Sequence, residues 1–274
     1  MNGDPDGAAG GPIASRRHPL VVRLRRLVRR PQLGRREGLF LLDGIHLLEE
    51  ALRGVHEAET VLIAPRLERT PPGRALRAAI ERRGWPLVSV ADGVLDDIAP
   101  TQTPQGVLGL FRRPVTALPP ATPGGGRLAA LVLAGLQDPL NLGALARSAW
   151  AFGCPTLITA PETVDPYHPR ALRASAGTLL HLAVAADVPT EALRGWLGKH
   201  GLQAIALVPH GGVPPERALA GDRIVLALGS EGRGLPPEVA AICGLEVTIP
   251  MREGVDSLGV AAAGSIALFA LSRG

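Results

Sequence analysis

Lysine is almost missing from this chain: Lys199 is the only one among 274 residues. The 29 basic residues outnumber 25 acidic ones and leave a formal charge of +4. Positive charge is therefore carried almost entirely by guanidinium groups, which stay protonated and grip phosphate or carboxylate in a bidentate fashion. An acidic or nucleic-acid partner and a plain solvated basic surface both fit that composition. Cysteine is scarce as well, with Cys154 and Cys243 alone. Two are too few for a disulfide framework, and no closely spaced cysteine–histidine cluster offers a structural zinc site. The expectation is therefore no metal and a reducing, cytoplasmic compartment. No apolar stretch is long enough to demand a membrane span, and the opening MNGDPDGAAGGPIASRRHP lacks a signal-peptide hydrophobic segment. A long exact repeat and a coiled-coil heptad run are also missing.

What is present suffices for two modest domains. Glycine, alanine and proline make residues 1–15 read as a flexible leader. Residues 16–113 read as a first unit. It opens on Arg16, Arg17, Arg23, Arg25, Arg26, Arg29 and Arg30 around an apolar helical face of Leu20, Val21, Leu24, Leu27 and Val28. That basic face is either solvated charge or a set of phosphate contacts for RNA, with Arg25, Arg26, Arg29 and Arg30 as candidates. Strands at Leu39–Leu42, Thr60–Ala64, Leu87–Val90 and Val107–Phe111 alternate with helices at His46–Arg53, Arg74–Arg83 and Asp92–Ile98. PVTALPPATPGGGR at 114–127 then breaks the period and reads as a linker.

Residues 128–274 read as a second α/β unit on a parallel sheet. Its expected strands are Leu128–Leu136, Thr156–Thr159, Leu182–Ala185, Gln203–Val208, Ile224–Leu228 and Glu246–Ile249. Its expected helices are Ala144–Phe152, Ala171–Leu179, Thr190–His200, Pro237–Ile242 and Leu258–Arg273. The last strand runs into a glycine-containing loop, Met251–Asp256, whose backbone groups are available to a ligand. Ser257 is a candidate cap for the final helix, whose apolar positions include Val260, Ala261, Ile266, Leu268 and Leu271. Gly264 inside that helix costs roughly 1 kcal/mol relative to alanine, a cost that close packing within the chain or between subunits can offset.

Chemistry-bearing residues gather in this unit. Asn141, before the Ala144–Phe152 helix, is either a turn residue or one that orients a nucleophile; Arg147 is either a solvated helix arginine or a phosphate contact. Glu231 sits in GSEG after an apolar strand, where the glycines serve a turn or the carboxylate orients a ribose or neighbouring backbone. Gly229, Ile249 and Leu258 can give close backbone contact and an apolar wall to a nucleoside cofactor. A dinucleotide-dependent enzyme is a poorer reading, because QDPLNLG follows Leu128–Leu136 where a GxGxxG turn belongs.

DPLNLGALARSA at Asp138–Ala149, LGSEGRGL at Leu228–Leu235 and IPMREGVDSLGVAAAG at Ile249–Gly264, with RASAG at Arg173–Gly177, together resemble the SpoU (TrmH-like) family of RNA 2′-O-ribose methyltransferases. REGLFLLDGIHLLEEAL and TQTPQGVLGLF resemble its ribosomal-protein-like accessory domain. The resemblance implies a SPOUT domain with a deep trefoil knot, S-adenosylmethionine as cofactor and a homodimer whose subunits share active centres. RNA is the implied partner, most of all large-subunit ribosomal RNA, with transfer RNA as the alternative and no DNA. It further implies Asn141, Arg147, Glu231 and Ser257 as the active-site set, Arg147 foremost, and Gly229, Ile249 and Leu258 as the cofactor pocket. The chain departs from the family's SLNV at Gly259, which replaces an asparagine. That loss of an amide donor and acceptor makes a catalytically weak RNA-binding protein the other reading.

Overall fold

The computed structural model describes residues 11–114, 117–120, 126–218, 223–254 and 257–273, and the chain divides into two units, residues 1–114 and 115–274. The first runs α1 (Pro19–Arg29), α2 (Pro31–Glu37), β1 (Leu39–Asp43), α3 (Ile45–Arg53), β2 (Ala58–Ile63), α4 (Pro71–Arg83), β3 (Leu87–Ser89), α5 (Asp92–Ile98) and β4 (Val107–Arg112). Its mixed sheet has the order β1-β4-β2-β3. β4 is antiparallel to β1 and β2, and β2 is parallel to β3. Alternate strand residues face opposite ways. Leu39, Leu41, Leu108 and Leu110 therefore share one core with Val21, Leu24 and Leu27 of α1 and Val94, Leu95 and Ile98 of α5. Each side chain buried this fully contributes roughly 1.5–3 kcal/mol.

Two expectations for this unit change. Ile13, inside the stretch read as a leader, donates its N–H to Ser89 O (2.8 Å) and accepts from Ala91 N (2.9 Å), and it packs on the same core. The ordered chain thus reaches into that stretch, and residues 1–10 of the leader lie outside the described residues. Helix α4 begins at Pro71 rather than Arg74. Thr70 caps it by accepting from Gly73 N at 3.2 Å, and proline's missing N–H costs nothing in a first turn.

The second unit runs β5 (Leu128–Leu133), α6 (Pro139–Ala151), β6 (Thr156–Thr159), α7 (Pro169–Ala174), β7 (Ala183–Ala185), α8 (Thr190–His200), β8 (Gln203–Leu207), β9 (Ile224–Leu228), α9 (Pro237–Ala240), β10 (Leu245–Val247) and α10 (Val260–Ser272). Its six strands take the order β10-β8-β9-β5-β6-β7, and every pairing is parallel. β5 is buried along its whole length, as a strand covered on both faces must be. From β5 the chain steps outward through β6 and β7. It then crosses to β8 and returns to place β9 between β8 and β5. Ligands of open α/β sheets gather at such a switch, beyond the carboxyl ends of the strands. Of the stretch read as a linker, Leu118 packs on this unit's core and Pro119 O accepts from Trp196 Nε1 at 2.7 Å.

Several boundaries shift for identifiable reasons. α6 starts at Pro139, so Asn141 lies in its first turn rather than before it, and Asp138 is the cap, accepting from Leu140 N at 2.9 Å. α7 stops at Ala174 because Ala176 and Gly177 take positive φ, 50° and 82°. α10 starts at Val260 with Gly259 as its N-cap, and Ser257 is not the cap expected of it. Ile266, expected on the packed face of α10, is 43% exposed.

Candidate cofactor cleft and active site

A cleft of about 390 Å³ opens beyond the carboxyl ends of β8, β9 and β10. Leu207, Val208 and Pro209 leave β8 to form one side. The β9 loop from Gly229 to Gly234 forms the floor, and Ile249, Met251, Leu258, Val260 and Ala263 close the other side. Gly229, Glu231, Ile249, Ser257 and Leu258, all singled out from sequence, line it together. Ile249 reaches the cleft because β10 ends at Val247, two residues before the expected strand end. Val255 and Asp256 of the expected ligand loop lie outside the described residues.

The β9 loop is held by its own backbone. Ser230 N donates to Gly234 O at 3.0 Å and Gly234 N to Ser230 O at 2.9 Å, closing a five-residue turn. That turn folds directly over Gly229, where a Cβ would stand 2.0 Å from Gly234 C and 2.1 Å from Leu235 N. Only glycine fits there. The loop's shape, and with it the cleft floor, depends on that missing side chain. At Gly264 a Cβ would meet Leu145 Cδ2 at 2.3 Å and Leu228 Cδ2 at 2.6 Å, so the glycine serves close packing within the chain. A 2.7 Å contact between Ser148 Oγ and Ser265 Oγ also joins α6 to α10.

Glu231 connects the motifs. Its Oε1 accepts from Val260 N at 3.1 Å and from Asn141 Nδ2 at 3.5 Å, the latter at the limit of a hydrogen bond. The carboxylate thus meets the backbone at the start of α10. Arg147 is not brought into this group. Six residues after Asn141 it lies about 120° around the helix, on the exposed face of α6. It forms no ion pair among the described residues. On either side of it, Leu140 and Trp150 are 50% and 46% exposed. Ile266 and Phe269 of α10 are 43% and 41% exposed, and Phe152 stacks edge-on against Phe269 at 5.4 Å, so α6 and α10 present a shared apolar face.

In the first unit the four candidate arginines separate. Arg25 is engaged: its Nε donates to Asp97 Oδ2 at 2.8 Å and its guanidinium also reaches Arg16 O. An arginine already paired this way has fewer donors to offer a phosphate than its three neighbours. Arg26, Arg29 and Arg30 are exposed and unpaired among the described residues. Sequence reasoning missed Leu207, Val208 and Pro209, and the signal that marks them is their place at the carboxyl end of a parallel strand. Among the described residues no cluster of three or more His, Cys, Asp or Glu is placed to hold a metal, and no helix is long and apolar enough to cross a membrane.

Residues 129–269 match the SpoU rRNA Methylase family, and residues 18–109 match the MRM3-like substrate binding domain. The chain is 33% identical over 262 residues, 95% of its length and 93% of the relative's, to slr1673 of Synechocystis, named as an uncharacterized tRNA/rRNA methyltransferase. It is 24% identical over 233 residues, 85% of its length and 88% of the relative's, to the 23S rRNA (guanosine(2553)-2′-O)-methyltransferase RlmP of Bacillus subtilis. The crystal structure of an AdoMet-bound rRNA methyltransferase from Sinorhizobium meliloti is similar with a TM-score of 0.83 and 28% identity, covering 96% of this chain and 97% of that one.

Proposed function

We propose, from the premise that this chain belongs to the SpoU rRNA methylase family, that it methylates the ribose 2′-hydroxyl of large-subunit ribosomal RNA. At the coarser level it is an S-adenosylmethionine-dependent RNA methyltransferase. The observation that carries the finer reading is the convergence of Gly229, Glu231, Ile249, Ser257 and Leu258 on one cleft. Its size and apolar walls fit a nucleoside-sized ligand. Gly229, Ile249 and Leu258 would hold the cofactor, with backbone groups of the β9 loop meeting its polar atoms. When bound, the cofactor supplies a methyl group on a positively charged sulfur. Transfer would form the ribose O–CH₃ bond as the S–CH₃ bond breaks, pass the hydroxyl proton to solvent and leave S-adenosylhomocysteine.

The chain's own residues have to bring that hydroxyl into line. Asn141, Glu231 and Ser257 border the place of transfer. The Arg147 guanidinium offers N–H donors and no acceptor, so it serves by holding the target phosphate and stabilising the developing alkoxide rather than by taking the proton. Its position on the exposed face of α6, between Leu140 and Trp150, favours a homodimer in which Arg147 acts at the partner's cleft. The trefoil knot and a cytoplasmic place of action belong to the same proposal. RNA would be gripped by the first unit, through Arg26, Arg29 and Arg30. The rRNA specificity named for RlmP favours ribosomal over transfer RNA.

The deciding experiment supplies labelled S-adenosylmethionine to undermethylated ribosomal and transfer RNAs and maps the modified ribose. Ribosomal 2′-O-methylation is expected. Methylation of transfer RNA alone would overturn the substrate. Tight RNA binding without transfer would favour the catalytically weak reading that Gly259 motivates. Sedimentation across protein concentration tests the dimer, and a monomer at catalytic concentrations would reject it.

A further inference from the structure

The N-cap of α10 is empty of side chain. Gly259 occupies it with φ −57° and ψ 145°, a conformation open to any residue, and no side chain of its own segment caps the helix. Ser257, two residues earlier, is exposed and makes no such bond. The first N–H of α10, on Val260, is instead taken by Glu231 Oε1 at 3.1 Å, from a loop 29 residues away in sequence. The nearest atom to a Cβ built on Gly259 is that same Oε1, at 3.6 Å, an ordinary contact. A small polar residue would thus fit at the cap beside the carboxylate. Among the described residues no other hydrogen bond ties the start of α10 to the β9 loop.

Those two segments are the floor and one side of the cleft. We infer that Glu231 is a positioning residue: a cap supplied from the cleft floor, which holds the Leu258–Val260 side against the β9 loop because Gly259 cannot cap α10 locally. The 3.5 Å contact from Asn141 Nδ2 to the same oxygen steadies the carboxylate from α6. This rests on the cofactor reading of the cleft. On that reading, Glu231 tunes affinity through the width of the cleft, and its acceptor oxygen matters more than its charge.

The test combines Glu231→Ala, Glu231→Gln, Gly259→Ser and the Glu231→Ala/Gly259→Ser double variant, in full-length protein. S-adenosylmethionine affinity is measured by calorimetry and stability by urea unfolding. Loss of a cap predicts a roughly 5- to 10-fold weaker affinity in Glu231→Ala. Glu231→Gln keeps an acceptor and stays within about threefold of wild type, as expected for a neutral cap. In the double variant the serine hydroxyl caps α10 locally and recovers most of the lost affinity. A folded double variant as weak as Glu231→Ala, or a glutamine variant as weak as the alanine one, overturns the proposal. If wild-type protein binds S-adenosylmethionine no better than ATP, the cofactor reading fails by itself. The urea data then still decide the cap: stability effects at 231 and 259 that are simply additive overturn it, and a serine that rescues the alanine variant upholds it.

Discussion

Gly229→Ala puts a single methyl group where the β9 turn already lies. The new Cβ would stand 2.0 Å from Gly234 C, against 3.4 Å where ordinary contact begins, so the turn must retreat by about 1.4 Å. The obstructing atoms are backbone, which cannot rotate away as a side-chain tip can. Overpacking of this kind costs about 1–3 kcal/mol. The retreat also strains the paired 3.0 and 2.9 Å bonds between Ser230 and Gly234, each worth about 1 kcal/mol. The combined loss of about 3 kcal/mol falls on stability, and the displaced cleft floor should weaken cofactor binding by roughly tenfold or more. Gly195→Ala is the matched control, since nothing lies within 4 Å of a Cβ at that helical position. It should raise stability by about 0.5–1 kcal/mol. Calorimetric titration and thermal melts of both variants give the answer. A Gly229→Ala protein that melts normally and binds S-adenosylmethionine within about threefold of wild type would refute the close-approach argument.

Arg147→Ala should leave stability within about 0.5 kcal/mol, because the side chain is exposed and unpaired, yet slow single-turnover methyl transfer by roughly 100- to 1000-fold; a near-normal chemical rate removes it from the active centre. Neutralising Arg26, Arg29 and Arg30 should cut the slope of log affinity against log salt for RNA by roughly 2–3, whereas Arg25→Gln should chiefly lose its bond to Asp97 and change the slope little. Equal slopes in all variants would mark α1 as ordinary surface. His168 caps α7 through Nδ1, which accepts from Arg170 N at 3.1 Å, and burial lowers its pKa despite nearby Asp165, with Arg170 and Arg173 lowering it further. A depressed imidazole pKa means stability that is present above its unfolded value near 6.5 and lost as pH falls toward the lower folded value. Urea midpoints between pH 7 and 5 should fall less in His168→Asn than in wild type, and parallel curves would exclude this histidine. Burial raises Cys154 to about 12 and Cys243 to about 11, the latter aided by Glu246, so both thiols should resist alkylation at neutral pH until the protein unfolds.

Much of this site is legible in the sequence because the carboxyl ends of parallel strands concentrate glycine and polar residues within short motifs. Gly229, Ile249 and Leu258 could be assigned to one pocket without coordinates. Leu207 to Pro209 could not, since nothing in an apolar strand's last residues distinguishes a cleft wall from core. The cap of α10 was misread for a related reason. Ser257 has the right chemistry nearby in sequence, but the group that reaches Val260 N comes from another loop, and sequence spacing carries no information about such a contact. The face of α10 was similarly opaque: VAAAGSIALFALS is apolar all round, so periodicity does not separate buried Leu268 from exposed Ile266. The helices at Pro71 and Pro139 start earlier than their apolar period suggests, because proline is a favoured first-turn residue that adds nothing to that period. The pairing of Arg25 with Asp97 spans 72 residues, beyond the reach of any local charge pattern.

The position of β9 between β8 and β5 also has a consequence in time. β8 touches β9 and β10, both later in the chain, so it has no neighbour in the sheet until β9 has slipped in beside β5. Such non-local parallel pairing is slow, because chain closure is paid for before contacts reward it. Every wall of the cleft hangs from these late strands or from α10. A nascent or refolding chain would therefore acquire its β5–β6–β7 half first and its affinity for ligand last, so that the appearance of cofactor binding would time the final act of assembly.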